Sequence, residues 1–485
     1  MSTAVSPSSA MALTLVQLPQ DVLVLICLHL AIEDLLALKQ TCRVMHALGS
    51  LDYLWHRLIA DFDLPLDIPL DSPVASLSSS FLRDAVTKAL KLDHRWRDPT
   101  VYLQTTKRVI SPNSSFVDGL RLLPGGRWLV TTQYEQTLRT HVTLWSLKDP
   151  SDAQAVFKIT VNGRVRFLQA HQEIDKITVG IAFARGPVES INVYDVFIKD
   201  LAAGPAAYTA IFETSPEELS GLGQIAAMKM CGRILVAVFA PLSASLGERK
   251  ILSLNIDSRV AIVTQPERAF SWGRLKLFRT RFAVVTSPYT TPFVKTCFYD
   301  LPGSVLDENP PPSVSRWPFV ETIDSLPVVS ASWGHDRTLV FELSDDPTGD
   351  NDSLTLVGCP ILAHNVTNGT MVILRVSLDD LGIRFSPTFV PCRSLPLIGD
   401  IQASASGRRA VWLQPNPDTN ECTLVRFASG RVACNKQLEP RISVLMPSFS
   451  GLAFNPRDFH TFAFDEISCR LAVSVSSGEL YILDY

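Results

Sequence analysis

The spacing of apolar residues changes near residue 94, and this change predicts two structurally different parts of the chain. Between residues 15 and 60 the apolar positions recur three or four residues apart, as they do along one face of an α-helix. This spacing predicts three short helices with apolar positions Val22, Leu25, Ile26 and Leu30, then Leu35, Leu38, Cys42 and Met45, and then Leu51, Leu54, Trp55 and Leu58. The first helix is expected to begin after Leu18-Pro19, because proline fits a first helical turn, where no backbone N–H is needed.

The segments on either side of these helices are predicted from their composition. Residues 1–14 are expected to be a disordered N-terminus, and residues 61–98 a connector that contains one helix. Proline, aspartate and serine dominate residues 61–80 and do not sustain a helix. The connector helix is expected to be capped by Ser79 or Ser80 and to place Phe81, Leu82, Ala85, Val86, Ala89 and Leu90 on one face, which we expect to pack on a neighbouring domain.

Beyond residue 98 the chain is predicted to be an all-β domain made of repeated units. Short runs of alternating or β-branched residues recur, and seven of them can be aligned on Trp145, Tyr194, Leu254, Tyr299, Leu374, Val425 and Leu483. The steps between these positions are 49, 60, 45, 75, 51 and 58 residues. Repeats of about 40–50 residues, each a four-stranded blade, are typical of β-propellers. We therefore predict a seven-bladed β-propeller over residues 99–485, while a pair of β-sandwiches would also give many short strands.

The runs that precede these seven positions predict hairpins and a closed ring. Each is an apolar strand followed by a turn, and the seven are GGRWLVTT, DKITVGIAFA, GRILVAVFA, TRFAVVTSP, DRTLVFEL, GRRAVWL and CRLAVSVSSG. The longest step contains the polar residues 344–353, which are predicted to be a surface loop and not an eighth blade. Residues 101–109 are expected to pair with residues 479–485 as the outer strand of the last blade.

Composition and charge exclude several classes of function. Lys and Arg number 44 against 48 Asp and Glu, so the chain lacks the excess positive charge of a nucleic-acid-binding protein. The nine cysteines include no C-x-x-C pair, which favours a reducing compartment, cytoplasmic or nuclear, over a disulfide or zinc framework. The apolar run Val22–Ala31 is about half of a membrane span, so no membrane partner is expected. No catalytic motif, metal site or cofactor site is predicted.

Residues Leu18–Ile59 resemble the F-box motif along its whole length. Its opening is matched by Leu18-Pro19 and Asp21-Val22, and its first helix by Ile26 and Leu30. The start and end of its second helix are matched by Asp34-Leu35 and Cys42-Arg43, and its closing Leu-Trp by Leu54-Trp55. Cys27 stands where the family often has an aromatic residue, and Met45 where it often has tryptophan. Both replacements are apolar. The chain is therefore similar to F-box proteins that carry a propeller-like C-terminal domain.

The resemblance implies a non-catalytic substrate adaptor of a Skp-cullin-F-box ubiquitin ligase. It would bind a Skp-type adaptor, and through it a cullin, by means of Leu18, Pro19, Val22, Ile26, Leu30, Leu35 and Trp55. Physical chemistry also favours a partner, because a helical unit of about 45 residues without metals or disulfides buries too little surface to be stable alone. Two alternatives stay open: a propeller enzyme or ligand-binding module whose helices serve packing only, and an F-box scaffold that delivers no substrate.

One basic segment is a candidate for substrate binding. Residues 268–281 contain five cations interleaved with aromatic residues, and such a cluster can bind an acidic or phosphorylated peptide. The candidate residues are Arg274, Lys276, Arg279 and Trp272. The alternative is an outer blade strand whose long cationic side chains cover apolar surface.

Overall fold

The computed structural model describes most of the two predicted parts. The described residues are 15–60, 62, 64–68, 74–101, 105–110, 117–148, 153–198, 206–241, 249–266, 273–286, 293–307, 309, 311, 314, 317–318, 321–325, 327–334, 339–343, 353–360, 369–379, 381–392, 401–403, 408–415, 422–433, 436–445, 454 and 458–484. They divide into two compact units. The first unit comprises residues 1–68, 72–91 and 430–439, and the second comprises residues 69–71, 92–429 and 440–485. The predicted N-terminus, residues 1–14, lies outside the described residues.

Apart from residues 430–439, which contain a β-hairpin, the first unit is helical. Its helices are α1 (Gln20–Leu28), α2 (Ile32–Leu38), α3 (Arg43–Leu48), α4 (Asp52–Ala60) and the first part of α5 (Ser79–Arg97), with single 3-10 turns at Leu15–Gln17 and Val74–Ser76. The second predicted helix is two helices, because the chain leaves helical geometry before Cys42, which has φ −157° and ψ 167°. Thr41 fits this break, since its hydroxyl donates to the carbonyl of Leu38 at 2.7 Å.

Helix α5 packs on the helices that precede it. Leu82 and Val86 are buried in the same apolar cluster as Leu54 and Trp55, so most of the predicted apolar face is covered within the first unit, whereas Phe81 is 41% exposed. The helix is capped by Ser78 and not by Ser79 or Ser80, because the Ser78 hydroxyl accepts the N–H of Phe81 at 3.3 Å. The connector helix is thus part of the helical core.

The second unit consists of β-sheets together with the last turns of α5. Strand β1 (Thr105–Ile110) comes first in this unit. Blade 1 follows and consists of β2 (Val117–Leu122), β3 (Trp128–Tyr134), β4 (Thr140–Ser146) and β5 (Gln154–Val161). Blade 2 consists of β6 (Arg164–Gln172), β7 (Lys176–Arg185), β8 (Val188–Phe197) and β9 (Tyr208–Glu213). Short helix α6 (Pro216–Leu219) leads to blade 3, with β10 (Gln224–Cys231), β11 (Ile234–Ala240), β12 (Lys250–Asn255) and β13 (Ala261–Pro266).

The remaining blades follow in chain order. Blade 4 contains β14 (Gly273–Leu277), β15 (Arg281–Thr286) and β16 (Phe293–Asp300), then α7 (Gly303–Leu306) and β17 (Glu321–Ser325) intervene before its last strand, β18 (Val329–Gly334). Blade 5 is β19 (Leu339–Leu343), β20 (Ser353–Pro360), β21 (Gly369–Asp379) and β22 (Gly382–Cys392). Blade 6 is β23 (Ile401–Ala403), β24 (Arg409–Pro415), β25 (Cys422–Ala428) and β28 (Arg441–Val444). The hairpin of β26 (Arg431–Ala433) and β27 (Lys436–Leu438) lies between β25 and β28 in the sequence but belongs to the first unit. Blade 7 is β29 (Phe459–Asp465), β30 (Arg470–Val475) and β31 (Leu480–Asp484).

The seven sheets form a closed ring, which confirms the predicted seven-bladed propeller. The first strands of successive blades contact one another in the order β2, β6, β10, β14, β19, β23 and β29, and β29 contacts β2 again. They therefore line the centre of the ring, and the later strands of each blade lie progressively further out. Apolar clusters fill the spaces between neighbouring blades; one of them joins Val130 and Leu144 of blade 1 to Val179 of blade 2.

Strand β1 closes the ring, as predicted. It pairs antiparallel with β31, in a register that runs from Thr105 opposite Asp484 to Ile110 opposite Leu480. The first strand of the domain is therefore the outermost strand of the last blade. This pairing covers an edge that would otherwise expose unpaired backbone groups.

The predicted hairpins are confirmed in six blades and wrong in the fifth. All seven aligned positions fall on the third strand of a blade, and six preceding runs form the second strand. In blade 5 the run before Leu374 is the first strand, β19, and the second strand is β20, which begins at Ser353. Most of the predicted loop, residues 344–352, lies outside the described residues.

The longest step also contains an extra strand. Strand β17 leaves blade 4 and pairs in parallel with β13 of blade 3, with Ile262 opposite Glu321 and Pro266 opposite Ser325. Blade 3 therefore has five strands. This insertion explains why the interval between blades 4 and 5 exceeds one repeat.

The last turns of α5 are bound tightly to blades 6 and 7. The indole N–H of Trp96 donates to the carbonyl of Phe427 at 2.8 Å, and the guanidinium groups of Arg409 and Arg426 lie 5.9 and 5.7 Å from its ring centroid. Asp93 lies 3.6 Å from the Arg409 guanidinium. Such cation–π and ionic contacts at a desolvated site stabilise the position of this helix end on the propeller.

Candidate functional site

Trp55 lies at the centre of the helical core of the first unit. Its side chain is 0% exposed and packs in one cluster with Leu23 and Leu35. Its indole N–H donates to the carbonyl of Gly49 at 2.9 Å. A Cβ at Gly49 would lie 3.2 Å from the carbonyl oxygen of Met45 and 3.3 Å from Cβ of Lys39, so glycine allows the end of α3 to pack closely on the end of α2. These contacts join α4 to the end of α3 and so fix the framework on which α1 lies.

Helix α1 is apolar on every side. Residues 22–28 are all apolar, yet only part of this surface is covered by the first unit. Leu23 and Cys27 are buried, whereas Val22 is 37% and Leu25 is 59% exposed. A helix that is apolar all round normally buries its whole surface. The exposed side, which we call the α1 surface and define by Val22 and Leu25, therefore has the character of an interface.

The structure brings the seven predicted adaptor-binding residues into one helical unit but gives them different environments. Leu35 and Trp55 are buried, Leu18, Ile26 and Leu30 are half-buried, and Pro19 and Val22 are exposed. The buried residues support the surface from within. The prediction omitted Leu25 from the contact set, although the uninterrupted apolar run 22–28 was the signal for a second apolar face.

The polar groups of this unit serve its architecture. Asp52 accepts the N–H of Ser79 at 3.1 Å, and hydrogen bonding by Ser79 lowers the pKa of this carboxyl. Burial raises the pKa of the Cys27 thiol, so the reactive thiolate is disfavoured. Burial also lowers the pKa of Lys39, whose amine lacks a hydrogen-bond partner. This arrangement is suited to apolar association.

The substrate-binding candidates occupy an inner strand. Arg274 and Lys276 lie on β14, the first strand of blade 4, so the alternative of an outer blade strand is wrong. Arg274 and Arg279 are exposed, but Lys276 is only 3% exposed. Trp272 lies outside the described residues. Arg274 lies near the start of β14 and Arg279 in the bend that follows its last residue, Leu277, so the structure does not bring the three cations to one exposed face.

Comparison with known proteins supports the reading of the helical unit. Residues 15–60 match the family model described as F-box-like. No curated protein matches the chain. The chain therefore combines an F-box-like region with a seven-bladed propeller.

Within the described ranges, no helix combines the length and apolar character needed to cross a membrane. The same part of the chain contains no group of three or more His, Cys, Asp and Glu side chains placed to hold a metal ion.

Proposed function

We propose that this chain recruits protein substrates to a Skp-cullin-F-box ubiquitin ligase. The helical unit docks a Skp-type adaptor through the α1 surface, and the propeller binds the substrate. The observation that carries this proposal is the F-box-like match of residues 15–60, together with a helix α1 whose outer side is apolar and uncovered within its unit. F-box regions generally bind Skp-type adaptors.

The proposed mechanism is proximity. A substrate held on the propeller has its lysines near the conjugating enzyme carried by the cullin, which makes the transfer of ubiquitin effectively intramolecular. The chain itself contributes binding energy and geometry, and the chemistry takes place on other subunits. The buried aliphatic and aromatic side chains beneath the α1 surface keep it rigid, which lowers the entropy cost of docking.

The substrate is proposed to bind the end of the propeller at which the first strands begin. The opposite end is occupied in part by α5, since Trp96 and Arg97 bond to the carbonyls of Phe427 and Ser429, where the third strand of blade 6 finishes. Arg274, at the start of β14, is exposed at the proposed end. Loops on a rigid scaffold are the usual place for such recognition.

The test is an affinity purification of the full chain from cells. Deleting residues 1–60 would uncover the apolar face of α5, so point variants on the α1 surface are preferable. We expect the variant with Val22→Asp and Leu25→Asp to lose the adaptor and cullin while keeping the proteins bound by its propeller. Leu381→Asp is the matched control, because Leu381 is an apolar residue of the propeller with 91% of its side chain exposed.

Three outcomes distinguish the proposal from its alternatives. If it is correct, inhibiting the proteasome increases the amount of a propeller-bound protein recovered with the wild type and with Leu381→Asp, and has no such effect with the double variant. If neither adaptor nor cullin is recovered with the wild type, the proposal is wrong. If both are recovered but no bound protein responds to the inhibitor, the chain is a scaffold.

A further inference from the structure

Among the described residues, four arginines are exposed at the adjoining ends of blades 1 and 2. Arg139 directly precedes β4, Arg164 and Arg166 stand at the start of β6, and Arg185 is the last residue of β7. We call these four residues the arginine rim. In each blade the first strand begins, the second strand ends and the third strand begins at the same end. The arginine rim therefore lies at the end of the propeller that is proposed to bind the substrate.

Backbone contacts hold the three segments of the arginine rim together. The hydroxyl of Thr140, which follows Arg139 in the chain, donates to the carbonyl of Gly163 at 2.6 Å and so fixes the start of β4 beside the start of β6. Arg164 is paired with Ala184 across β6 and β7, and Arg185 is the next residue along β7. The arginine rim is thus one continuous surface on ordered backbone.

Two of the arginines are oriented by carboxylates that lie beneath them. Asp118 lies 4.0 Å from the guanidinium of Arg164, and Glu189 accepts a hydrogen bond from Arg166 at 2.7 Å. The two carboxylate side chains are at most 9% exposed, whereas Arg164 has 67% of its side chain exposed. A guanidinium group has five N–H donors, so one carboxylate contact leaves most of them available to a ligand.

The other two arginines have no carboxylate. In the described part of the chain, the side chains of Arg139 and Arg185 make neither a hydrogen bond nor an ion pair. Glu135, in the same turn as Arg139, is bound instead by His141 at 2.6 Å. Glu213 is exposed but lies on β9, the outer strand of blade 2. The arginine rim therefore carries two charges without a partner in a chain whose 48 Asp and Glu outnumber its 44 Lys and Arg.

Apolar side chains accompany the arginine rim. Leu138 in the turn before β4 and Val188, which pairs with Arg185, are both exposed. The guanidinium of Arg164 lies over the ring of Tyr134, 5.8 Å from its centroid. Arginine and aromatic residues are enriched in protein interfaces and in the residues that contribute most to binding. This composition indicates a protein ligand and not a free inorganic anion.

We propose that the arginine rim binds an acidic segment of the substrate, in which aspartate and glutamate residues are interspersed with apolar ones. The inference rests on the proposed function, because it names the substrate class for the propeller end that recruits the substrate. Guanidinium groups bind carboxylates through two parallel charge-assisted hydrogen bonds. The four arginines stand on three segments, so they match several carboxylates along an extended chain, whereas a single phosphate needs its donors around one point.

The test measures the binding of fluorescein-labelled peptides to the purified full chain by fluorescence anisotropy. The first probe alternates glutamate with alanine, the second has glutamine in place of every glutamate, and the third is the glutamine peptide with one phosphoserine. We expect saturable binding of the glutamate peptide, which weakens as sodium chloride is added, and no binding of the glutamine peptide. No Skp-type adaptor is present, so failure of this test leaves adaptor docking untouched, and failure of docking leaves this result standing.

The decisive variant combines Arg139→Glu with Arg185→Glu. It should bind the glutamate peptide at least about tenfold more weakly, because two unpaired cations become repulsive anions. Its thermal unfolding should match that of the wild type, since neither side chain has a contact to lose. Arg384→Glu is the matched control and should bind as the wild type does, because Arg384 is 63% exposed and lies on β22 of blade 5.

Three results would overturn the proposal. The first is a glutamate peptide that binds no more tightly than the glutamine peptide. The second is a double variant that binds the glutamate peptide with the wild-type affinity. The third is a peptide with one phosphoserine that binds more tightly than the glutamate peptide, which would identify a phosphate site in place of a surface for carboxylates.

Discussion

The indole of Trp55 contributes to the first unit in two separable ways, by its volume and by its N–H. Trp55→Phe should cost about 1–3 kcal/mol, since it leaves the Gly49 carbonyl without its donor. Trp55→Ala should cost about 3–5 kcal/mol, because it also opens a cavity among Leu23 and Leu35. Urea unfolding followed by the helical circular dichroism signal measures both changes. Equal losses for the two variants would contradict this division.

Lys39 is expected to destabilise the first unit. Its side chain is 8% exposed, and burial lowers its pKa, with Arg83 acting in the same direction and Asp84 in the opposite one. The folded protein therefore holds this proton less tightly than the unfolded chain, in which the pKa is about 10.5. The unfolding free energy contributed by this group rises as the pH increases between the folded pKa and 10.5.

The substitution Lys39→Met tests this expectation. The variant should be more stable than the wild type at pH 7.5, because a thioether replaces a desolvated ammonium of similar length. The difference between the two proteins should shrink as the pH approaches 10.5. Melting temperatures measured across this interval give the result, and a difference that stays constant or grows would show that the amine is well accommodated.

At the scale of single elements, strand β31 should matter more than its length indicates. It pairs with both β30 and β1, and Leu480, Ile482 and Leu483 are buried. Deleting residues 479–485 removes the central connection of the closing blade and exposes two strand edges. We expect the whole propeller to lose its cooperative melting transition.

Strand β17 is the matched control for that deletion. It lies outside the fourth strand of blade 3, and β13 is its one partner among the strands that the structure describes. Replacing residues 321–325 with a flexible Gly/Ser linker of the same length should lower the melting temperature without abolishing the transition. Similar losses from the two changes would contradict the account of ring closure by β1 and β31.

The elements show which parts of the fold could be read from the sequence. Strand periodicity located the third strands of all seven blades, because buried alternating residues leave a clear pattern. Connectivity was harder: in blade 5 the run that contains Val340 was assigned to the second strand but belongs to the first. The interval before it includes β17, which pairs with another blade. A long-range parallel pairing leaves no signal in local spacing.

A recurring ion pair was a second signal that the sequence contained. A cation stands at the start of the second strand of several blades, and a carboxylate stands near the end of the third. Lys176 lies 3.3 Å from Asp195, Arg281 lies 3.7 Å from Asp300, and Arg470 bonds to Asp484. The runs DKITV, TRFAV and CRLAV show the cation. The pair becomes recognisable only when the blades are aligned, since 14–19 residues separate its members.

The candidate sites could be predicted to different extents, because a site is easier to recognise when its residues are close together in the sequence. The F-box-like region is local, so its residues were identifiable from one short segment, apart from Leu25. Arg274 and Arg279 are only five residues apart in the sequence, yet one lies near the start of β14 and the other in the bend that follows its end.

At the scale of the whole molecule, the helical unit and the propeller are proposed to have separate tasks. Substitutions on the α1 surface should therefore leave the propeller folded. A protein that carries Val22→Asp and Leu25→Asp should keep the wild-type melting transition of the propeller.

The most direct test of the central claim is the affinity of the purified full chain for a purified Skp-type adaptor, measured by isothermal titration calorimetry. Exposed apolar anchors at an interface typically contribute about 2 kcal/mol or more each, so the variant with Val22→Asp and Leu25→Asp should bind at least about a hundredfold more weakly. Leu381→Asp should bind as the wild type does. If the wild type fails to bind the adaptor, or if the double variant binds it with unchanged affinity, the α1 surface is not an F-box docking surface.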